Sequence, residues 1–401
     1  MDYQDLIRDL ARETDSRIVM LILDGLGGLS LEKGGLTELE TARTPNLDML
    51  SSESSCGLLD PISPGITPGS GPGHLSLFGY DPVRWNMGRG VLESLGINFP
   101  LQAGDVAIRI NFCTVDESGN VTDRRAGRIS SAKCEELSAL LDSIEVPGVE
   151  IMVRPVKEHR AVAVFRGEGL GADLNDTDPQ VTGKPPLELK PGDSESERTA
   201  GHINAFLKQA REVLSPHHPA NMILLRGIDS FKSYPTFYDI YKLKSAAIAQ
   251  YPMYKGLARM VGMEILDGGS TPTDLFSCLE KHYDDYTFFF IHVKKTDSSG
   301  EDGDFDSKVK VIEEVDSYIP RLRELNPDAI AVTGDHSTPA LLKNHSWHPL
   351  PFLVHSPYCR ADGTKEFSES ACAQGGMGRL PTVSLMPVLM ANALKLDKFG
   401  A

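Results

Sequence analysis

Three short apolar runs, each followed within a few residues by an aspartate, constrain this chain more than any other feature. Arg17-Ile-Val-Met-Leu-Ile-Leu23 stops at Asp24, Tyr286-Thr-Phe-Phe-Phe-Ile-His-Val293 precedes Lys294-Lys-Thr-Asp297, and Ala329-Ile-Ala-Val-Thr333 precedes Gly334-Asp335-His336. Apolar runs without polar alternation mark strands buried on both faces, as in a parallel sheet covered by helices. The pattern predicts three acids at the carboxyl edge of one sheet, where open α/β folds collect their ligand groups. The longest uninterrupted runs, Ile18 to Leu23 and Phe288 to Ile291, are strand-sized and too short to span a bilayer.

Between the first and second of these runs the texture changes. From about Asp105, Val106 to Val115 and Val149 to Phe165 alternate like strands, with a hairpin connection at Glu117-Ser-Gly-Asn120. Helical patterns at Ser130 to Leu141 and Glu197 to Leu214 separate those runs, and Met222 to Leu225 is a further apolar run. At 401 residues the chain exceeds what one core holds, and its 40% hydrophobic content fills two. The expected architecture is α/β: residues 1–104 and 256–401 form one parallel-sheet domain, and residues 105–255 form an α+β domain inserted into it. Asp173 to Glu195, polar and Pro-rich, reads equally as a ligand-binding or a mobile loop.

Gly65-Ile-Thr-Pro-Gly-Ser-Gly-Pro-Gly-His74 places one hydroxyl, Ser70, among residues with almost no side chain to shield it. Pro72 is suited to open a helix continuing through His74-Leu75-Ser76-Leu77, which puts Ser70 at an N-terminus whose amides favour an anion. Earlier, Thr44-Pro-Asn-Leu-Asp-Met-Leu50 reads as a helix start with Thr44 as N-cap and Pro45 at the first position.

A formal charge of −16 argues against nucleic acid or an anionic membrane as partner. The six cysteines form no CxxC pair, and the first ten residues are too charged for a signal peptide, so reduced thiols and a cytoplasmic location are expected. Asp24, Asp297 and Asp335 on one edge would repel one another unless protonated or neutralised, and His336 and His345 add neutral nitrogen donors beside them. Divalent metal is the economical explanation, although any one such Asp alone reads as a cap or turn residue. A hydroxyl held between two metals ionises near neutral pH and attacks phosphorus. There is no GxxxxGK[ST] loop, no HExxH and no GxSxG elbow, and Asp302-Gly-Asp-Phe-Asp306 lacks the EF-hand glycine because Ser307 stands there.

Leu23-Asp-Gly-Leu-Gly27, Thr44-Pro-Asn-Leu-Asp48, Ser70-Gly-Pro-Gly-His74, Thr296-Asp-Ser-Ser-Gly300, Gly334-Asp-His-Ser337 and His345-Ser-Trp-His-Pro-Leu-Pro351 together resemble the alkaline phosphatase superfamily. More narrowly the chain resembles the archaeal-type cofactor-independent phosphoglycerate mutases, through Glu158-His-Arg-Ala161, Asp176-Thr-Asp-Pro179 and Tyr254-Lys-Gly256 as well. The resemblance implies an alkaline-phosphatase-like domain in which Asp24, Ser70, Asp335 and His336 surround one metal and Asp297, Glu301 and His345 surround the other. Ser70 is then the nucleophile. His345 rather than His348 falls on the family position, and Glu301 stands where many related mutases have His. His159, Arg160, Asp173, Asp176, Arg128 and Lys255 lie in segments that resemble substrate-binding ones. The implied cofactors are two divalent ions, with Mn²⁺ expected and Mg²⁺, Co²⁺ or Zn²⁺ as alternatives, and no 2,3-bisphosphoglycerate. The implied reaction interconverts 3-phosphoglycerate and 2-phosphoglycerate through phospho-Ser70, in glycolysis and gluconeogenesis. A phosphatase or sulfatase, a mutase for another phosphometabolite and a non-catalytic metabolite-binding protein stay open as alternatives; the sequence does not give the oligomeric state.

Overall fold

The computed structural model describes residues 3–85 and 87–400. In chain order its strands are β1 (Ile18–Leu23), β2 (Ser55–Asp60), β3 (Val106–Val115), β4 (Val121–Asp123), β5 (Glu150–Lys157), β6 (Arg160–Arg166), β7 (Met222–Ser230), β8 (Ser245–Ile248), β9 (Glu264–Leu266), β10 (Phe288–Val293), β11 (Ala329–Thr333), β12 (Leu350–His355) and β13 (Gly378–Pro381). The chain divides into two compact units, Met1–Asn86 with Pro235–Ala401, and Met87–Tyr234.

The first unit is built on a sheet of order β13-β2-β12-β11-β1-β10-β8-β9. All six residues of β1 are buried, as are all of β10 and β11, which explains why these strands read as unbroken apolar runs. β1 pairs in parallel with β10 on one side and β11 on the other, Leu23 opposite Val293 and Ile22 opposite Thr333. That register brings the residues following all three strands out at one edge. The expected parallel sheet is reversed at one place, because β12 runs antiparallel to both β11 and β2. β12 follows β11 through a loop containing no helix, and a direct return of that kind can only pair antiparallel.

The second unit carries a five-stranded sheet of order β4-β3-β6-β5, with β7 on the free side of β3. Helices Ser131–Asp142 and Glu197–Leu214 pack on it, joining Leu137, Leu141, Ile203 and Phe206 to Ile108, Ile110, Phe112 and Phe165 in one core. The Val149 to Phe165 run is two strands, β5 and β6, which turn at Glu158 with φ 54°. The 173–195 segment is tied down: Thr177 Oγ1 accepts from the Leu225 amide at 2.8 Å, and Asn175 Nδ2 donates to the Glu188 carbonyl at 3.0 Å.

The unit boundaries fall at 86/87 and 234/235 rather than at 104/105 and 255/256. Helix Arg89–Gly96 belongs to the second unit because Gly90 lets it lie on β3; a Cβ there would meet the Ala107 carbonyl oxygen at 2.3 Å. At the other end β8 pairs with β10 and so belongs to the first sheet. Its four residues, Ser245-Ala-Ala-Ile248, carry too little apolar bulk to stand out as a sequence run.

Candidate metal centre

Ser70 is the first residue of helix Ser70–Leu77, with Gly69 extended before it. The expected opening at Pro72 is two residues late, since Pro72 lies inside the first turn, where its missing amide costs no hydrogen bond. His74 Nδ1 donates to the Ser70 carbonyl at 2.8 Å, and Gly73 lets the helix touch the Asp335 turn, where a Cβ would meet the Asp335 carbonyl oxygen at 2.5 Å. The helix is Pro45–Ser52, with Thr44 at its N-cap and Pro45 at the first position as expected, but the Thr44 hydroxyl caps no amide and instead donates to Asp48 Oδ1 at 3.4 Å.

Asp24, Asp335 and His336, all fully buried, form one cluster of donor atoms; Asp297, His336 and His345 form another. His336 is common to both. Its Nε2 lies 3.3 Å from Asp24 Oδ1, 3.1 Å from Asp335 Oδ2 and 3.4 Å from Ser70 Oγ. His345 stacks on His336 with ring centroids 3.6 Å apart, and its Nε2 is 3.7 Å from Asp297 Oδ1. The His345 Nδ1–H donates to the Pro68 carbonyl at 3.0 Å, which turns Nε2 toward the cluster. Glu301, one helical turn beyond Asp297, is at the rim: its side chain is 54% exposed and Oε1 is 4.0 Å from His345 Nε2. His348 lies outside both clusters and contacts Ser346 Oγ at 3.0 Å.

Asp24 Oδ1 and Asp335 Oδ2 are buried and accept no hydrogen bond among the described residues. Burial and the neighbouring Asp24 push the Asp335 carboxyl well above its usual range. For Asp24 burial acts the same way, but His292, Lys294 and His336 more than offset it and hold the carboxyl well below that range. Burial pushes His336 well below the usual imidazole value, so it is neutral. Orphaned buried carboxylate oxygens beside neutral imidazole nitrogens fit divalent cations bound by mixed oxygen and nitrogen donors.

Four residues around these clusters escape the sequence reading of the site. Lys294 Nζ lies 3.0 Å from Asp24 Oδ2 and also bonds Asp297 Oδ2; Tyr254 Oη donates to Asp24 Oδ2 at 2.5 Å; His292 Nε2 is 3.4 Å from the same oxygen. The Thr338 hydroxyl donates to Asp297 Oδ1 at 2.7 Å. A lysine following a strand reads as a solvated terminus, and a histidine inside an apolar run reads as core. Of the four, Tyr254 alone sat in a motif that carries the family resemblance; His292 and Lys294 lay in a quoted strand run and the segment after it.

Within the second unit, a cleft of about 370 Å³ is lined by Arg89, Arg109, Arg124, Arg125, Arg128, Arg160 and Arg226 with Asn111, Glu158 and His159. His159, Arg160 and Arg128 of the expected substrate residues are thus together. Asp176 borders them, accepting from the Gly227 amide at 2.7 Å with Oδ2 3.8 Å from Arg226 Nε. Asp173 lies outside the lining, its carboxylate packed over Gly192, and Lys255 belongs to the first unit on helix Pro252–Met260. Burial, then Arg160, Arg109 and Arg125, push the His159 imidazole down to about 4. Such a cleft is built for an anion with several oxygens.

A serine at a helix N-terminus beside two carboxylate–imidazole clusters on a mostly parallel α/β sheet defines a candidate phosphoryl-transfer enzyme of the metal-dependent kind. The sequence model of 2,3-bisphosphoglycerate-independent phosphoglycerate mutase matches residues 51–221. Probable 2,3-bisphosphoglycerate-independent phosphoglycerate mutases of Thermus thermophilus and Deinococcus radiodurans are each 50% identical to the chain, with 100% of both sequences covered. Among solved structures, the PH0037 protein from Pyrococcus horikoshii is similar with a TM-score of 0.84 at 30% identity, covering 96% of this chain and 99% of that one. The cofactor-independent phosphoglycerate mutase from Thermoplasma acidophilum is similar with a TM-score of 0.73 at 31% identity, covering 94% and 100%. The chain belongs to the 2,3-bisphosphoglycerate-independent phosphoglycerate mutases, a family of isomerases. No helix among the described residues is long and apolar enough to cross a membrane.

Proposed function

We propose that the chain interconverts 3-phosphoglycerate and 2-phosphoglycerate through a phosphoserine at Ser70, in glycolysis and gluconeogenesis in the cytoplasm. One observation carries this reading: the Ser70 hydroxyl opens a helix and lies within 3.4 Å of the imidazole shared by both donor clusters. Asp24, Ser70, Asp335 and His336 would hold one divalent ion, and Asp297, His345 and Glu301 the other, with His336 placed beside both. When bound, the two ions neutralise the phosphoryl oxygens and favour the ionised serine.

Ser70 Oγ gives up its proton and attacks the phosphorus of 3-phosphoglycerate, the bond to the 3-oxygen breaks, and that oxygen takes up an equivalent proton and leaves as a hydroxyl of glycerate. The 2-hydroxyl then attacks the phosphorus of phosphoserine, returning the group to carbon 2 and regenerating the serine. The N-terminal end of the helix that Ser70 opens favours a group of negative charge there. Guanidinium groups of the second-unit cleft suit carboxylate and phosphate groups such as a phosphoglycerate carries, and the neutral His159 among them suits a hydrogen bond with an anionic oxygen. The balance needs no bisphosphoglycerate, because the acceptor that carries the group is the protein.

The test is incubation of Mn²⁺-loaded protein with 3-phosphoglycerate and no bisphosphoglycerate, following 2-phosphoglycerate and inorganic phosphate together. Formation of 2-phosphoglycerate without matching phosphate release is expected. Stoichiometric phosphate release would make the protein a hydrolase and end the mutase reading.

A further inference from the structure

Thr338 is fully buried, and its Oγ1 lies 2.7 Å from Asp297 Oδ1 and 2.9 Å from His336 Nδ1. A hydroxyl has one proton to give. Because an ionised carboxylate can only accept, that proton goes to Asp297, and the oxygen must then accept from Nδ1–H of His336. The bond selects one imidazole tautomer and leaves an unprotonated Nε2 facing Asp24, Asp335 and Ser70.

The hydroxyl has little freedom to do otherwise. The Thr338 carbonyl accepts from the buried Nζ of Lys308 at 2.9 Å, and the same Nζ donates to the Gly27 carbonyl at 3.0 Å. The Thr338 amide donates to Gly27 O at 3.1 Å. Gly25 and Gly300 flank it with no side chain; a Cβ at Gly25 would come 2.6 Å from Thr338 Oγ1, and one at Gly300 would come 2.1 Å from the Thr338 carbonyl oxygen. The turn after β1 and the turn after β11 are thereby held together at Thr338, through its carbonyl, its amide and the close approach of Gly25 to its hydroxyl.

We propose that Thr338 is a positioning residue for both donor clusters, fixing the tautomer of His336 and the orientation of Asp297 with one hydroxyl. This rests on reading the clusters as cation sites. His345 obtains the same presentation from a backbone carbonyl, whereas His336 obtains it from a side chain, which makes this contact open to substitution.

The experiment has two arms, both without substrate. Long-range ¹H–¹⁵N correlation spectra of the metal-free wild-type protein should show His336 protonated at Nδ1; protonation at Nε2 overturns the proposal whatever any variant does. Mn²⁺ is then titrated calorimetrically into wild type, Thr338→Val and Thr338→Ser. Thr338→Val, nearly isosteric but without the hydroxyl, should bind about 10–100-fold more weakly, the usual cost of losing such an outer partner. Thr338→Ser should stay close to wild type. Equal affinity in Thr338→Val and wild type overturns the proposal, and so does an equal loss in both variants, which would assign the effect to packing of the methyl group. Neither arm uses turnover, so failure of the mutase reaction would leave the outcome readable.

Discussion

Ser70 Oγ lies 3.4 Å from Nε2 of His336, at the open end of a helix. Replacing Ser70 by Ala removes the only atom proposed to carry the phosphoryl group while leaving the buried face of that helix, Leu75 to Leu77, untouched. Turnover is expected to fall by about 10⁴–10⁶-fold, the scale for loss of a nucleophile, with unchanged thermal unfolding. Near-normal formation of 2-phosphoglycerate by the variant would end the phosphoserine mechanism.

As a ligand of the proposed site with Asp297 and His345, Glu301 would add a hard oxygen, although it sits at the exposed rim. Glu301→Ala is expected to lose the ion at that site and most turnover. Glu301→His should stay active with Mn²⁺ or Co²⁺ and gain relative affinity for Zn²⁺, as imidazole replaces carboxylate. Metal content and activity across a metal series decide the matter. Two tightly held ions and full turnover in Glu301→Ala would reduce Glu301 to an ordinary loop carboxylate.

His159 is held near 4 in the ligand-free protein by burial and by its arginine neighbours, against an ordinary value of 6.5. Between those two values the unfolded chain binds the proton more readily, so this residue makes stability fall as pH is lowered from 6.5 toward 4. An anion seated among the arginines reverses the local field and should raise the His159 value. NMR titration with and without 3-phosphoglycerate measures this directly, and an unchanged His159 titration at saturating ligand would place the substrate elsewhere.

Lys308 and Glu38 are both fully buried, with Nζ 3.8 Å from Oε1, and burial pushes the lysine below its ordinary range while Glu38 works against that. Lys308→Met strands the Glu38 carboxylate and two backbone carbonyls without their cation, and should cost about 3–5 kcal/mol in denaturant unfolding. The double variant Lys308→Met with Glu38→Gln should cost less than the single one. Additive losses would show that the pair is not coupled.

The acids at the sheet edge were legible because a strand buried on both faces writes itself as an apolar run, and Asp24, Asp297 and Asp335 follow such runs. The shared role of His336 was not, because it depends on a stacking distance rather than a spacing. The arginine cleft was legible only through His159, Arg160 and Arg128. Two of its other guanidiniums come together by antiparallel register, Arg109 opposite Arg226, as Asn111 stands opposite Arg160, across strands far apart in sequence. The unit boundaries failed for a similar reason: Gly90 and the short β8 reveal their allegiance only through the neighbours they touch.

The sheet order of the first unit has a consequence for biosynthesis. Ile18 pairs with Phe288 and Ala329, so β1 leaves the ribosome long before either of its partners exists. Residues 87–234, by contrast, contain every partner of their own sheet and can close while the remainder is still being made. Protease challenge of stalled nascent chains should therefore find this middle segment protected before residues 18–60 are. Because the proposed ligands run from Asp24 to His345, a growing chain would hold its first acid in waiting for most of synthesis, and could complete the candidate cation sites only in its closing stage.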